Sequence, residues 1–273
     1  MGYVFDMNIA GKTILVTGAG MGIGSMICRE LARAGAAKII GIDLFSKDLK
    51  DTEISVNREG CAFVGYECDI SREDQIDNLL RLFETEGNTF EILVNNAGIA
   101  PSGPFVEKDF SVWKKAIEVN VIGTIKLTHA CLPILRTHKE AHIVNLASIA
   151  GKFGSEGTAV YSATKHAIVG FSNALRMEFY DNKVGVSWIC PSMTRTRMIE
   201  GVKSSFFTPV IEPEQVAKAV CKAIQKNKGE VILPGYLRLS IVILPTLFPK
   251  FFMWLAVRAK ASRGWLTANK NLN

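Results

Sequence analysis

Tyr161 and Lys165 stand four residues apart in Tyr161-Ser162-Ala163-Thr164-Lys165. On a helix that spacing puts both side chains on one face. A free phenol has a pKa of about 10, so a tyrosine that trades protons near neutrality needs that value lowered by about three units, roughly 4 kcal/mol of differential stabilisation. An ammonium one helical turn away acts in that direction. Ser148 precedes Tyr161 by thirteen residues and closes an apolar run, Asn145-Leu146-Ala147-Ser148. A hydroxyl at a strand end, with a loop returning the chain beside it, can hydrogen-bond a substrate oxygen. Open α/β sheets bind ligands at the carboxyl ends of their strands.

A second constellation lies near the start of the chain. Thr17-Gly18-Ala19-Gly20-Met21-Gly22-Ile23-Gly24 joins the first apolar run to the first helical stretch. Such a turn lets backbone N–H groups approach a pyrophosphate, with the helix dipole favouring the anion. The spacing is T-G-x-x-x-G-x-G; counted from Gly18, the sixth position is Ile23, so the strict G-x-G-x-x-G spacing is not met. Asp43 ends the second strand candidate, nineteen residues past Gly24. A carboxylate there accepts hydrogen bonds from both ribose hydroxyls of an adenosine and repels a 2′-phosphate. Met21 occupies the turn position where a basic residue would have favoured that phosphate, so NAD is expected over NADP, with Lys47 as the nearby counter-signal.

The elements that must position these residues alternate. Thr13–Thr17, Lys38–Asp43, 62–68, Ile92–Asn95, 142–147, 184–190 and 231–233 read as short strands, several apolar without alternation, as parallel strands covered on both faces are. Residues 22–34, 72–86, 111–136, 159–180 and 213–226 carry helical period, the last opening on Pro213 and Glu214. Repeated strand–helix units predict an α/β fold, a Rossmann-type doubly wound parallel sheet with helices on both faces. Asn120 falls inside the long stretch 111–136, where a buried amide is disfavoured by propensity and invites a functional reading.

Taken in order, T-G-x-x-x-G-x-G, Asp43, Asn95-Asn96-Ala97-Gly98, Asn120, Ser148 and Tyr161-x-x-x-Lys165 resemble the classical branch of the short-chain dehydrogenase/reductase family over about residues 10–235. The resemblance implies hydride transfer between nicotinamide C4 and a carbinol carbon, with Tyr161 as general acid/base. It further implies that Lys165 lowers the Tyr161 pKa and binds the nicotinamide ribose, that Ser148 orients the substrate oxygen, and that Asn120 holds a water completing a proton relay through Lys165. Gly18, Gly22, Ile23 and Gly24 would line the pyrophosphate turn and Asp43 would hold the adenosine ribose. Asp69 matches an adenine-contacting acid, and Asn95 an asparagine supporting the central strand. Pro191, Thr194 and Thr196 fall in the nicotinamide loop. Ser192 departs from the pattern, which has glycine there; if that slot needs positive φ, Ser192 is strained. The resemblance also implies a homodimer or homotetramer formed through 111–136 and 159–180.

Composition bounds the rest. The 273 residues carry 21% charged and 48% apolar residues, enough for one large domain and too apolar for a disordered polyelectrolyte. Six cysteines (Cys28, Cys61, Cys68, Cys131, Cys190, Cys221) show no C-x-x-C pair, and with four dispersed histidines they give no metal-ligand spacing. Reduced thiols and the lack of a secretory pattern at the start predict a cytoplasmic location.

The net charge of +6 comes wholly from the tail: after Glu230 there is no acidic residue, while Arg238, Lys250, Arg258, Lys260, Arg263 and Lys270 follow, leaving 26 basic against 26 acidic residues in 1–235. No nucleic-acid partner is expected of that balanced body. We divide the chain into a catalytic unit, 1–235, and an apolar, basic segment, 236–273. Residues 239–257 are strongly apolar but contain Pro245, Pro249 and Lys250. That suits an interfacial helix or helix pair at a membrane surface better than a span; a lid over the substrate pocket and a dimer contact are the competing readings. The expected activity is an NAD-dependent oxidoreductase of a lipophilic secondary alcohol or ketone (steroid, retinoid or acyl-chain type), in lipid metabolism. An NADP-dependent 3-oxoacyl reductase and a non-catalytic NAD-binding sensor or membrane adaptor are the alternatives.

Overall fold

The computed structural model describes residues 6–180, 183–202, 208–258 and 265. In chain order its elements are β1 (Thr13–Thr17), α1 (Gly22–Arg33), β2 (Lys38–Asp43), α2 (Ser46–Arg58), β3 (Ala62–Glu67), α3 (Glu73–Glu86), β4 (Ile92–Asn95), α4 (Phe110–Ile117), α5 (Thr124–Arg136), β5 (Ala141–Leu146), α6 (Ala159–Glu178), β6 (Val184–Pro191), β7 (Met193–Thr194), β8 (Val210–Ile211), α7 (Pro213–Gln225), β9 (Glu230–Leu233), α8 (Leu244–Leu247) and α9 (Pro249–Arg258). Seven parallel strands form one sheet in the order β3-β2-β1-β4-β5-β6-β9, the Rossmann-type arrangement expected. Strand order reverses between β1 and β4, and a crevice at the carboxyl ends follows from that reversal. The strands β1, β4, β5 and β6 are buried almost throughout, which their unbroken apolar runs require.

Two cores flank the sheet. On one face α1, α2 and α7 bury Ile27, Cys28, Leu31, Leu49, Val56, Val216, Val220 and Ile224 against β1 and β2. On the other, α3, α5 and α6 bury Ile76, Leu79, Phe83, Leu127, Cys131, Leu135 and Leu175. The pattern in α7 shows why it forms: Val216, Ala217, Val220, Ala223 and Ile224 recur at helical period, Pro213 sits in the first turn, and Glu212 and Gln215 cap each other reciprocally.

Two expectations about helices are corrected. The helix α2 forms where no helix is expected; only Leu49, Thr52 and Val56 turn inward among its charged residues, too thin an apolar stripe to register as periodicity. The single helix expected over 111–136 is broken: α4 stops at Ile117, a π turn occupies Glu118–Gly123, and α5 resumes at Thr124. Close packing accompanies the turn, since a Cβ on Gly123 would stand 2.4 Å from the Ile70 carbonyl oxygen. The apolar stretch after Arg238 is also interrupted, into a π turn (Leu239–Ile243), α8 and α9, with Pro245 and Pro249 at the helix starts. Among the described residues no helix is long and apolar enough to cross a membrane. The tail cations Lys260, Arg263 and Lys270 lie outside the described residues.

At the opposite end of the sheet from the crevice, His142 is fully buried in β5. Ser187 donates to the Lys228 carbonyl, so the ring must donate through Nε2 to Ser187 Oγ, 2.8 Å away, leaving Nδ1 with no partner. Gly185 on β6 makes room for the ring; a Cβ there would stand 2.3 Å from Nδ1. Burial, helped by Arg176, lowers the imidazole pKa to about 3 from an ordinary 6.5. Between those values the unfolded chain binds a proton that the folded chain refuses. Stability is therefore complete above about pH 6.5 and declines as pH falls towards 3. The urea midpoint of the wild-type chain should fall over this window, and His142→Leu should flatten that slope.

Candidate active site

The crevice is a cleft of about 650 Å³ running from the glycine-rich turn, past Ser148 and Tyr161, to Ile241 and Trp265. At its nucleotide-like end, the turn after β1 folds back on itself. Gly18 has a φ of +63°, and a Cβ on Gly24 would stand 1.9 Å from the Gly18 carbonyl oxygen, so only glycine at 24 lets α1 begin against the turn. Asp43 Oδ2 accepts the Gly20 N–H at 2.7 Å, which fixes the carboxylate beside the turn. Thr196 stands across the cleft, its Cγ2 3.2 Å from where a Gly22 Cβ would be.

The loop after β4 supports this turn from below. Thr17 Oγ1 accepts the N–H groups of Asn96 and Ala97, each at 3.0 Å, and the Asn96 side-chain amide donates to the carbonyls of Thr17 and Gly18 at 3.0 and 3.1 Å. Asn95 points elsewhere: its amide donates to Thr128 Oγ1 and Asn145 Oδ1, tying β4 to α5 and β5. Asp69 also lines the cleft. Burial alone would raise its pKa, but hydrogen bonds from Ser71 and Lys115 outweigh that and hold the carboxyl below its ordinary value.

The catalytic-type residues meet where β5, β6 and α6 converge. Lys165 is buried, and its Nζ donates to the Leu146 carbonyl at 2.8 Å and lies 5.8 Å from the centre of the Tyr161 ring. Burial lowers its pKa to about 8, so the ammonium still dominates at neutral pH. Ser148 lies at the end of the β5 run, its Oγ accepting the Ala150 N–H at 3.1 Å and bonding the Tyr161 hydroxyl. For Tyr161, burial raises the phenol pKa and the Ser148 bond offsets only part of that, so the net direction is upward. Lys165 Nζ stands 5.8 Å from the centre of the Tyr161 ring, one helical turn away. Cys190, beside them on β6, is pushed up to about 12 by burial first and Glu230 second, and stays a thiol.

Asn120 sits in the π turn, buried, and clamps rather than lines. Its Oδ1 accepts the Ile99 N–H at 2.8 Å, while its amide donates to the Ile99 carbonyl at 2.8 Å and to Thr164 Oγ1 at 3.1 Å. Thr164 Oγ1 in turn donates to the Tyr161 carbonyl at 2.7 Å.

Of the residues singled out from sequence, Gly18, Gly22, Ile23, Asp43, Asp69, Ser148, Tyr161, Lys165, Pro191, Thr194 and Thr196 line one cleft, whereas Gly24, Asn95 and Asn120 stand behind its wall. The suspected strain at Ser192 is corrected: its φ is not positive, and it is held by its N–H to the Leu233 carbonyl and its hydroxyl to the Pro209 carbonyl, 2.8 and 2.7 Å. Sequence reasoning missed Asn96, Thr17 and Thr164 as supports. It also missed Phe153, which lines the substrate end with Ile241 and Trp265. The pairing of Asn96 with a glycine-rich turn was the available signal for the first two; nothing in the sequence pointed to Phe153. Among the described residues no group of His, Cys, Asp and Glu is arranged to hold a metal ion.

Comparison with known proteins gives the following. Residues 12–205 match the family model for the short chain dehydrogenase. Epidermal retinol dehydrogenase 2 of Mus musculus is 30% identical over 249 residues, covering 89% of this chain and 80% of the relative. The ketoacyl reductase HetN of Nostoc sp. is 29% identical over 262 residues, covering 92% of this chain and 91% of its own. The fold matches that of a short chain dehydrogenase/reductase from Burkholderia phymatum solved in complex with NAD, at a TM-score of 0.80 and 24% identity over 90% of this chain and 96% of that one.

Removing the Asn96 amide takes two donors from the turn, each worth about 1 kcal/mol. Asn96→Ala should weaken binding of a reduced nicotinamide dinucleotide about tenfold, read by nucleotide fluorescence, with little change in far-ultraviolet circular dichroism.

Proposed function

Since the chain belongs to the short-chain dehydrogenase family, we propose that it is an NAD-dependent dehydrogenase, reversibly a ketone reductase, acting on a lipophilic secondary alcohol or ketone. The single observation carrying this reading is the convergence of Ser148, Tyr161 and Lys165 on the cleft that also holds the glycine-rich turn and Asp43.

The residues present fit a dinucleotide. The turn after β1 brings backbone close at Gly18, Gly22 and Gly24, and the Asp43 carboxylate stands at the adenosine end with Asp48 and Asp51 nearby on the cleft wall. Of the cations there, Lys115 is already paired with Asp69 at 3.0 Å and Lys47 lies over the Phe45 ring at 5.4 Å. This carboxylate-rich end favours two ribose hydroxyls over a 2′-phosphate, hence NAD. A dinucleotide held by these residues would supply the hydride acceptor or donor. Asp69 would face the adenine, and Pro191, Thr194 and Thr196 the nicotinamide end.

Within the chain, Ser148 holds the substrate oxygen beside the Tyr161 hydroxyl, and Tyr161 removes or supplies the hydroxyl proton. Lys165, kept charged at neutral pH, stabilises the phenolate across the ring and is fixed by the Leu146 carbonyl. Asn120 keeps the Tyr161 turn in place through Thr164 and can hold a water towards Lys165, since both flank Gly98. Ile241, Phe153 and Met193 give the substrate end an apolar lining suited to a lipophilic molecule, and the retinol dehydrogenase relative supports that class. A homodimer or homotetramer is proposed through the α4–α5 segment, where Phe110, Ile117 and Ile122 are exposed apolar residues. Six unpaired thiols suit a cytoplasmic location.

The relative that is a ketoacyl reductase favours an NADP-dependent 3-oxoacyl reductase as a second reading. Comparing NAD and NADP at equal concentration separates the two. Asp43→Ser should reduce the preference for NAD by about tenfold or more, because it removes the charge that repels the phosphate. In a panel of secondary alcohols and ketones, Tyr161→Phe should retain NADH binding and lose roughly 10²- to 10⁴-fold in turnover. If the wild-type chain binds NADH and turns over nothing in that panel, the catalytic reading is wrong and a sensor role replaces it.

A further inference from the structure

The chain's excess charge and a run of exposed apolar side chains coincide in the segment after β9. This segment has two unlike sides. Leu237 and Ile241 are buried in a cluster with Ala147, Ile149, Trp188 and Cys190, and Ile241 reaches the cleft wall. Phe252 is 4% exposed and packs edge-on against Phe153, ring centres 4.9 Å apart. Arg238 pairs with Glu230 at 3.3 Å, and Glu230 also binds Lys152 in the loop that follows Ser148. The inner side is thus fastened over the substrate end of the cleft.

On α9 the inward residues are Phe252, Leu255 and Ala256, at helical spacing. The opposite face carries Met253, Trp254 and Val257, exposed by 58%, 52% and 70%, and Leu247 and Phe248 extend the patch at 63% and 57%. Lys250 and Arg258 border it, with the Arg258 guanidinium 5.0 Å from the centre of the Trp254 ring. No carboxylate follows Glu230, whereas six cations do. The body of a second copy, residues 1–235, is charge-balanced and offers no net attraction to such a face. Aromatic and thioether side chains rimmed by cations, without acids, match the boundary between acyl chains and anionic headgroups.

We propose that the outer face of α8–α9 docks on an anionic phospholipid bilayer, so that the substrate end of the cleft opens beside the membrane and a lipophilic alcohol or ketone enters from it. The entry step rests on the catalytic reading above; the docking step does not.

The test uses the full chain with vesicles of phosphatidylcholine alone and of phosphatidylcholine mixed with phosphatidylglycerol. Co-sedimentation should favour the anionic vesicles about tenfold or more and weaken as salt is raised. The double variants Met253→Ser/Trp254→Ser and Lys250→Glu/Arg258→Glu should each lower that partition about tenfold or more. Both should keep wild-type NADH affinity, thermal midpoint and turnover of a water-soluble secondary alcohol, while turnover of a long-chain alcohol embedded in the vesicles drops. Docking is overturned if the wild-type chain stays in the supernatant at low salt. It is equally overturned if both variants sediment like wild type, or if they change only the oligomer size seen by sedimentation velocity, which would assign the face to a second copy. Should the chain partition as expected but oxidise no alcohol, soluble or embedded, docking stands and the catalytic reading falls. Should the variants partition weakly yet oxidise the embedded alcohol at the wild-type rate, entry from the membrane is overturned.

Discussion

A buried ammonium, held by one backbone carbonyl, organises the cleft. Taking Lys165 out of water is costly, and that burial pushes its pKa down. The charge is tolerable because Leu146, at the end of β5, aims its carbonyl at Nζ from a strand that cannot move without disturbing β4 and β6. Lys165 and Tyr161 share a helix face, so fixing the amine fixes the phenol. Two further bonds lock that turn of α6, from Asn120 to Thr164 and from Thr164 to the Tyr161 carbonyl.

The same constraint explains the π turn between α4 and α5. A regular helix would carry Asn120 past the position from which it grips both backbone groups of Ile99. One wide turn re-aims the amide at the loop after β4 and at α6 together. At the far end of the cleft the logic is similar, with side chains gripping backbone groups. The glycine-rich turn is held by Thr17, Asn96 and Asp43, three side chains from three neighbouring strand ends. Nucleotide-type and substrate-type residues thus hang on one rigid sheet, which keeps their separation constant.

The segment beyond β9 is built differently. Among the described residues it adds no strand, and it covers the cleft through apolar contacts, Ile241 and Phe252 foremost, and the Arg238–Glu230 ion pair. Such a cover is easier to displace than the sheet beneath it. Its inner contacts reach the loop after Ser148 through Arg238, Glu230 and Lys152.

Sequence alone determined the parallel sheet, because β1, β4, β5 and β6 are apolar runs that only a two-sided burial explains. Local spacing also put Tyr161 and Lys165 on one helix and the glycines in the first turn. The helix α2 was illegible because its inward stripe is three residues among charges, and the break at Asn120 was illegible because a π turn has no local signature here. Asn96, Thr164 and Phe153 acquire their roles from partners 79, 44 and 99 residues away. The direction of the Tyr161 pKa was likewise decided by the tertiary structure. Spacing places an amine one turn away, but burial sets the sign, and that burial arises only when β5, β6 and α6 pack together.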